Sequence, residues 1–328
     1  MNKIKNAPKL GKAQGVGLIK TIVNYAGLAL LYLFAVMPHG LMKILARVSA
    51  WLMWHVNGRL RKIGIRNLEI CFPDMPVAER TQLARKSLYE VSLSILHVGR
   101  TWIWRLERME QQISRVVGEE HLRAVTTDDS GIVVLLPHMG NWELVNIFLT
   151  RRYQITSLYR QPKSTAFSDV VLNARERTGA RLVPANASGV RAMLTTLKDG
   201  NMVTMLPDQV PPRKFGKFAP FFGEPTLTMT LATNLIRRTR AKALCAFCKR
   251  LPDGQYELVF QPVEEAIYDA DSETALAAMN RSLERCVMDC PEQYQWEYKR
   301  FKFLPNLQKR DYFGDRNHNS ESLGQRQA

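Results

Sequence analysis

The apolar positions of the chain fall into two textures. GIVVLLPH, residues 131–138, is a continuous apolar run rich in β-branched residues that stops at Pro137, the texture of a strand buried on both faces. Similar runs recur at 155–159, 181–184, 202–206, 243–249 and 256–260, with helical stretches between most of them. Strands alternating with helices predict an α/β sheet, and Pro252-Asp253-Gly254 between the last two runs predicts a hairpin, so the sheet is expected to be mixed. Over residues 61–116 the period changes: Leu83, Leu88, Val91, Leu93, Leu96 and Trp102 repeat at helical spacing, and residues 274–290 return to it. The tail from Asn306 is polar and short of apolar residues, and is expected to be disordered.

The N-terminal part reads differently. Residues 25–37 form an apolar run of thirteen, too short for the roughly 20 residues that cross a bilayer. A second stretch, 41–56, mixes apolar residues with Lys43, Arg47, Trp51, Trp54 and His55, the make-up of an amphipathic helix with interfacial aromatics. The expectation is a membrane-anchoring helical segment over 1–60, lying in or dipping into an anionic leaflet, followed by a catalytic domain over 61–305 and a polar tail over 306–328. A secretory signal has a similar outline, but Met37 and Pro38 stand where small cleavage-site residues are wanted.

Charge supports the same division. The net charge is +16 and the sequence pI about 9.8. Eleven basic residues precede the first acid, Glu69; subtracting them from +16 leaves about +5 for the rest. A nucleic-acid-binding domain is expected to carry a basic stripe with stacking aromatics on its folded surface, whereas here the charge flanks membrane-seeking segments. Membrane lipids, and no nucleic acid, are therefore the expected partners. The five cysteines are few and odd in number, as in a reducing compartment. Cys245-x-x-Cys248 lies in a strand pattern that points its two thiols to opposite faces, and neither it nor Cys286 with Cys290 has the His or carboxylate company of a metal site. No metal or cofactor is expected.

The residues best placed for chemistry are in HMGNWE, 138–143, where the first buried strand ends and a helix begins, the edge at which α/β sheets gather their chemistry. On one regular helix, positions five apart point about 140° away from each other. With His138 in a turn permitted by Gly140, however, Glu143 in the first helical turn would reach back to the ring. A carboxylate on one ring nitrogen fixes the tautomer and leaves the other to take a proton from a hydroxyl. Two catalytic residues without a nucleophile imply that a substrate hydroxyl attacks an acyl donor directly. By spacing alone the pair is weak, since a histidine and a glutamate five apart also arise as a strand-end histidine and a helix-dipole glutamate.

PHMGNWE resembles the H-x-x-x-x-(D/E) block of the glycerolipid acyltransferase superfamily, and the glutamate preceded by Asn-Trp is similar to the branch that completes lipid A. Further blocks follow in the order of that branch: YRQPKS at 159–164, ARERTGARLVP at 174–184, GVRAMLTTLKDG at 189–200, LPDQ at 206–209 and FFGEPTLT at 221–228, with NLEICFPD upstream at 67–74. The resemblance covers about 60–304. It implies a glycerolipid-acyltransferase-like α/β fold, a mixed sheet flanked by helices, and a late lipid A acyltransferase at the cytoplasmic face of the inner membrane. Such an enzyme moves an acyl group from acyl-carrier protein to a hydroxyl of a hydroxyacyl chain on a phosphorylated lipid A precursor. The resemblance makes His138 and Glu143 the catalytic pair and Arg160 the phosphate ligand, a role suited to a guanidinium fork. Lys163, Arg191 and Asp208 lie in matching blocks and join Arg160 as substrate-binding candidates without distinct tasks; Asp208, at another strand end, is also placed to orient Arg160 or His138. Phe221 and Phe222 fit equally a turn lining an acyl groove and plain core aromatics. Gln161 stands where the branch commonly has proline. The runner-up, an acyltransferase acting on glycerol phosphate or another glycolipid, usually carries aspartate where this chain has Glu143.

Overall fold

The computed structural model describes residues 14–56, 58–159 and 172–313. The core is a seven-stranded sheet of β1 (Ile113–Val117), β2 (Ile132–Leu135), β3 (Ile155–Tyr159), β4 (Arg181–Pro184), β5 (Met202–Met205), β8 (Lys242–Arg250) and β9 (Tyr256–Pro262). Its spatial order is β1-β9-β8-β2-β5-β3-β4. All neighbours run parallel except β8 and β9, which form the antiparallel hairpin announced by Pro252-Asp253-Gly254. The sheet is therefore mixed, and six of its strands follow the apolar runs of the sequence. β1 does not, because its largely exposed ISRVV lacks a continuous apolar run.

Strand β2 lies at the centre and is buried along its whole length. Val133 and Leu135 face one hydrophobic cluster and Ile132 and Val134 the other, as the period of two requires. Cys245 and Cys248 likewise divide between the two clusters, and all five cysteines are free and buried. One face is covered by α5 (Leu106–Glu110), α6 (Glu119–Val125) and α7 (Trp142–Thr150), the other by α3 (Gly58–Cys71), α4 (Val77–Ile103), α8 (Ala187–Lys198), α9 (Leu231–Thr239) and α10 (Ser272–Asp289). Side-chain oxygens start three of these helices: Asn141 accepts from the Leu144 amide, Asn186 from the Ser188 and Gly189 amides, and Asp271 from the Thr274 amide.

FFGEPTLT belongs to a separate hairpin, β6 (Gly216–Phe221) and β7 (Glu224–Met229), which turns at Phe222-Gly223. Phe221 is fully buried against Phe222, Tyr294 and Phe301, which supports the core reading of that side chain.

The first two helices, α1 (Gln14–Val36) and α2 (His39–His55), correct the picture of an anchor set apart from the catalytic domain. Among the described residues no helix is long and apolar enough to cross a membrane. Both helices instead pack on α4. At Gly99 of α4 an added Cβ would fall 2.5 Å from the Leu31 carbonyl oxygen, so the close approach of α1 requires glycine there. Trp104 Nε1 donates to the Ala35 carbonyl at 2.9 Å and Arg100 to that of Met37 at 2.6 Å. On α2 the buried residues Met42, Ala46, Ala50 and Trp54 recur every fourth position and form the inward stripe. Of the tail expected to be disordered from Asn306, residues 314–328 lie outside the described residues; within 306–313, Tyr312 is buried and its hydroxyl bonds both Asn67 and the Phe301 amide.

Candidate active site

Parallel pairing of β2 and β5 sets the geometry of the site. Leu135 lies opposite Met205, and three residues further along each chain stand His138 and Asp208. Two strands in register that leave the sheet through loops of equal length bring these residues together at the carboxyl edge of the sheet. Asp208 Oδ1 receives the His138 ring nitrogen Nδ1 at 2.6 Å, and Oδ2 receives the His138 backbone amide at 2.8 Å. Asp208 is buried, whereas His138 keeps 19% of its side chain open to solvent.

Burial alone would raise the Asp208 pKa, but the charge and hydrogen bonds of His138, helped by the more distant Arg300 guanidinium, hold it below the ordinary carboxylate value. An ionised Asp208 fixes the proton of the ring on Nδ1 and directs Nε2 away as a base. Behind it, burial and the negative charge of Asp208 drive the Tyr294 phenol well above its usual range. Arg300, also buried, spans to β7 by donating to the Leu227 carbonyl and to Thr228 Oγ1.

The His138 loop is clamped from two sides. Gly140 has φ of +53°, and an added Cβ would meet the Cys248 carbonyl oxygen at 2.1 Å. That closeness lets the Asn141 amide donate to the same oxygen at 2.8 Å. Opposite, Met139 bridges Tyr294, with the Gly140 amide donating to the Gln293 carbonyl and the Gln295 amide to that of His138, each at 3.2 Å. Trp142 packs by the imidazole, with ring centroids 5.4 Å apart.

Glu143 takes a different position from the one its spacing suggested. It lies in the first turn of α7, but the ring nitrogen it was expected to hold belongs to Asp208. Its carboxylate instead pairs with Arg175, whose Nε lies 2.9 Å from Oε1 and 3.2 Å from Oε2, with Nη2 also on Oε1. Helix geometry explains the difference, because a first-turn side chain on α7 diverges from a turn residue that the β5 loop has already engaged. Arg175 sits in the helical segment 172–176, within a block whose resemblance gave it no task; a guanidinium pairing across elements leaves no mark in local spacing. Tyr294, Gln293 and Gln295 also went unread, being far away in sequence. Arg160 and Lys163 lie outside the described residues, just beyond the end of β3. Arg191 is exposed on α8, and among the described residues no hydrogen bond or ion pair ties it to His138 or Asp208. Nor does any group of three or more His, Cys, Asp or Glu among them form a cluster able to hold a metal ion.

The site thus holds a histidine base oriented by a buried aspartate, with no side-chain nucleophile bonded to the ring among the described residues. Residues 12–303 match the family described as bacterial lipid A biosynthesis acyltransferase. The chain belongs to that family. It is similar to the lipid A biosynthesis lauroyltransferase of Escherichia coli (strain K12), 28% identical over 285 residues, 86% of this chain and 92% of the relative. The palmitoleoyltransferase of the same organism is 27% identical over 286 residues, again 86% and 92% of the two chains. Its myristoyltransferase is 25% identical over 267 residues, 79% of this chain and 80% of the relative.

Proposed function

We propose that this acyltransferase transfers a fatty acyl group from acyl-carrier protein to a hydroxyl of a hydroxyacyl chain on a phosphorylated lipid A precursor. The observation that carries the reading is the hydrogen-bonded His138–Asp208 pair at the adjoining ends of β2 and β5. In the reaction the acceptor hydroxyl gives its proton to His138 Nε2 as its oxygen attacks the thioester carbonyl. The C–O bond forms, the C–S bond breaks, and the imidazolium returns the proton to the departing thiolate. Asp208 stabilises the transient imidazolium and acts through His138. Glu143, tied to Arg175, shapes the wall beside the ring. Arg160, with Lys163 and Arg191, is assigned to the acceptor phosphate, for which a guanidinium supplies a planar fork.

The protein is further proposed to work on the cytoplasmic surface of the inner membrane, where its donor is found. Supporting this, α2 turns Leu41, Ile44, Leu45, Val48, Trp51 and Leu52 to solvent on the side opposite its buried stripe, and α1 adds Tyr25, Leu30, Tyr32, Leu33 and Val36. Such a face suits a helix lying in the interface plane rather than crossing it.

The test combines purified protein, acyl-carrier protein thioester and phosphorylated acceptor in detergent, with the product read by mass spectrometry. The expected product gains one acyl chain in an ester that mild alkali removes. Release of free fatty acid without acyl transfer, in repeated preparations, would sink the reading. Arg160→Ala is expected to raise KM for the phosphorylated acceptor about tenfold or more, with Lys a poor replacement. Equal losses on a dephosphorylated acceptor would remove that role.

A further inference from the structure

Where α2 ends and α3 begins, a cavity of about 380 Å³ opens to the surface. Its walls are aromatic, from Trp54, Tyr312 and Phe313, and its charges are Arg61, Lys62 and Arg66. Among the described residues the one acid lining it, Glu69, is engaged by Arg66 at 3.0 Å. The Arg61 guanidinium lies over the Trp54 ring at 5.5 Å and uses one donor on the Trp54 carbonyl at 3.2 Å, leaving the rest of its fork available. Outside the lining itself, Lys299 stands over Phe313 at 4.2 Å and Tyr312 at 5.0 Å. Burial, together with the charges of Arg59 and Lys302, depresses its ammonium pKa against the opposing charge of Asp311. Positive charge is therefore crowded here beyond what the neighbouring acids offset, and like charges held together favour an anion between them.

The cleft is also joined to the apolar face. Trp54 forms a wall of a second cavity, of about 300 Å³, shared with Ala50, Trp51, His55 and Arg85, and Trp51 belongs to the exposed stripe of α2. Arg85 covers the Trp54 ring from within that second cavity, at 4.7 Å. An indole between two guanidinium groups at the end of an apolar stripe matches the depth at which lipid phosphates meet acyl chains.

We propose that this cleft binds the phosphate headgroup of an anionic phospholipid in the bilayer against which the α2 face rests. The inference builds on the membrane reading above and adds a specific site to it. The size of the cavity favours a headgroup over a carrier-protein helix, which would need an open basic face, and its continuity with the α2 stripe supplies a path for the acyl chains. None of its residues belongs to the loops that carry His138 and Asp208.

The experiment uses the full chain with vesicles of phosphatidylcholine, with and without phosphatidylglycerol, and reads binding by flotation. The parent should bind both, and the anionic vesicles more tightly. Arg61→Gln with Lys62→Gln should lower the affinity for anionic vesicles about tenfold or more, since both basic groups are drawn to the anionic surface. Binding to phosphatidylcholine should change little. Arg61→Lys keeps the charge but loses the planar fork and its stacking on Trp54, so a several-fold loss is expected; unchanged binding would mean diffuse attraction and overturn the site. A photoactivatable phosphatidylglycerol on the parent protein should label the peptide spanning 54–66, which tests the site without any variant; labelling confined to other peptides would also overturn it. So would loss of transfer from the carrier protein by Arg61→Lys in detergent free of phospholipid, because a protein would then be the occupant. A parent that floats with neither kind of vesicle would sink the membrane reading itself.

Discussion

The loop after β5 and the helix start after β2 each bring a carboxylate to the active site, and they hold it in opposite ways. Asp208 is buried and takes both a ring N–H and a backbone N–H from His138, so each of its oxygens is engaged by the same residue. Glu143 lies in the first turn of a helix, keeps 13% of its side chain exposed and faces an arginine. Five residues along the chain separate Glu143 from His138 and seventy separate Asp208 from it, yet the register of two parallel strands makes the distant acid the partner. Proximity in sequence is a weak guide where the sheet, and not a helix, sets the spacing.

The largest effect should come from the ring itself. His138→Ala is expected to lower kcat by about 10³- to 10⁴-fold while leaving the melting temperature near that of the parent, measured with acyl-carrier substrate. A near-normal rate would remove the base from the mechanism. Asp208→Asn should follow, with a loss of about 10²- to 10³-fold, because an amide no longer fixes the Nδ1–H tautomer or stabilises the imidazolium. Should Asp208→Asn retain full activity while Glu143→Gln abolishes it, the assignment of the two acids would be reversed.

Glu143→Ala is expected to cost less, about 10- to 10²-fold, and to share that cost with Arg175→Ala. The double variant should lose little more than the worse single one, since removing either partner already breaks the pair. Additive losses would mean that Glu143 acts on something other than Arg175.

The smallest effect concerns a third carboxylate, Glu297. The residue is half-buried, but its carboxylate accepts from Ser87 Oγ at 3.0 Å and holds Oε2 out of solvent without a partner among the described residues, and this burial raises its pKa to about 7. An acid raised in the folded state stays protonated where the unfolded chain has already ionised, so stability falls as pH rises from the ordinary glutamate value of 4.5 towards 7. Glu297→Gln should therefore melt higher than the parent at pH 8, by an amount equivalent to roughly 1 to 3 kcal/mol, and show little gain at pH 4. An equal gain at both pH values would point to packing rather than charge. Asp208, shifted the other way, should give no such gain when neutralised.

How much of this was legible in the sequence follows from which interactions are local. The strand runs of β2, β3, β4, β5, β8 and β9 were visible because strands buried on both faces must be apolar throughout, and the β8–β9 reversal because Pro-Asp-Gly encodes a turn. The hairpin β6–β7 was hidden, since KFAPF and EPTLT each carry a proline, which a strand tolerates only where a ladder hydrogen bond is absent. His138 could be selected by its place at a strand end and Asp208 by its place at another, as a residue to orient Arg160 or His138; choosing between those two required knowing that β5 neighbours β2. The pairing of Glu143 with Arg175 and the clamp by Gln293, Tyr294 and Gln295 depend on chain crossings that no local pattern encodes. The N-terminal helices illustrate the converse: their apolar residues were easy to see, but serve two faces at once, one packed on α4 and the other exposed.

The clamp on the His138 loop also sets an order of events during synthesis. Gln293 and Gln295 close hydrogen bonds on residues that leave the ribosome some 150 codons earlier, and Cys248 holds the same loop from the β8 side. A nascent chain can complete β2 and pair it with β5 while the catalytic turn still lacks its last supports. Catalytic competence therefore arrives with the C-terminal segment, and a chain stopped before residue 293 would contain both His138 and Asp208 yet leave the turn between them unpinned. Such a product would carry the histidine and its acid without the turn geometry that joins them to the rest of the fold, a form of quality control that needs no additional factor.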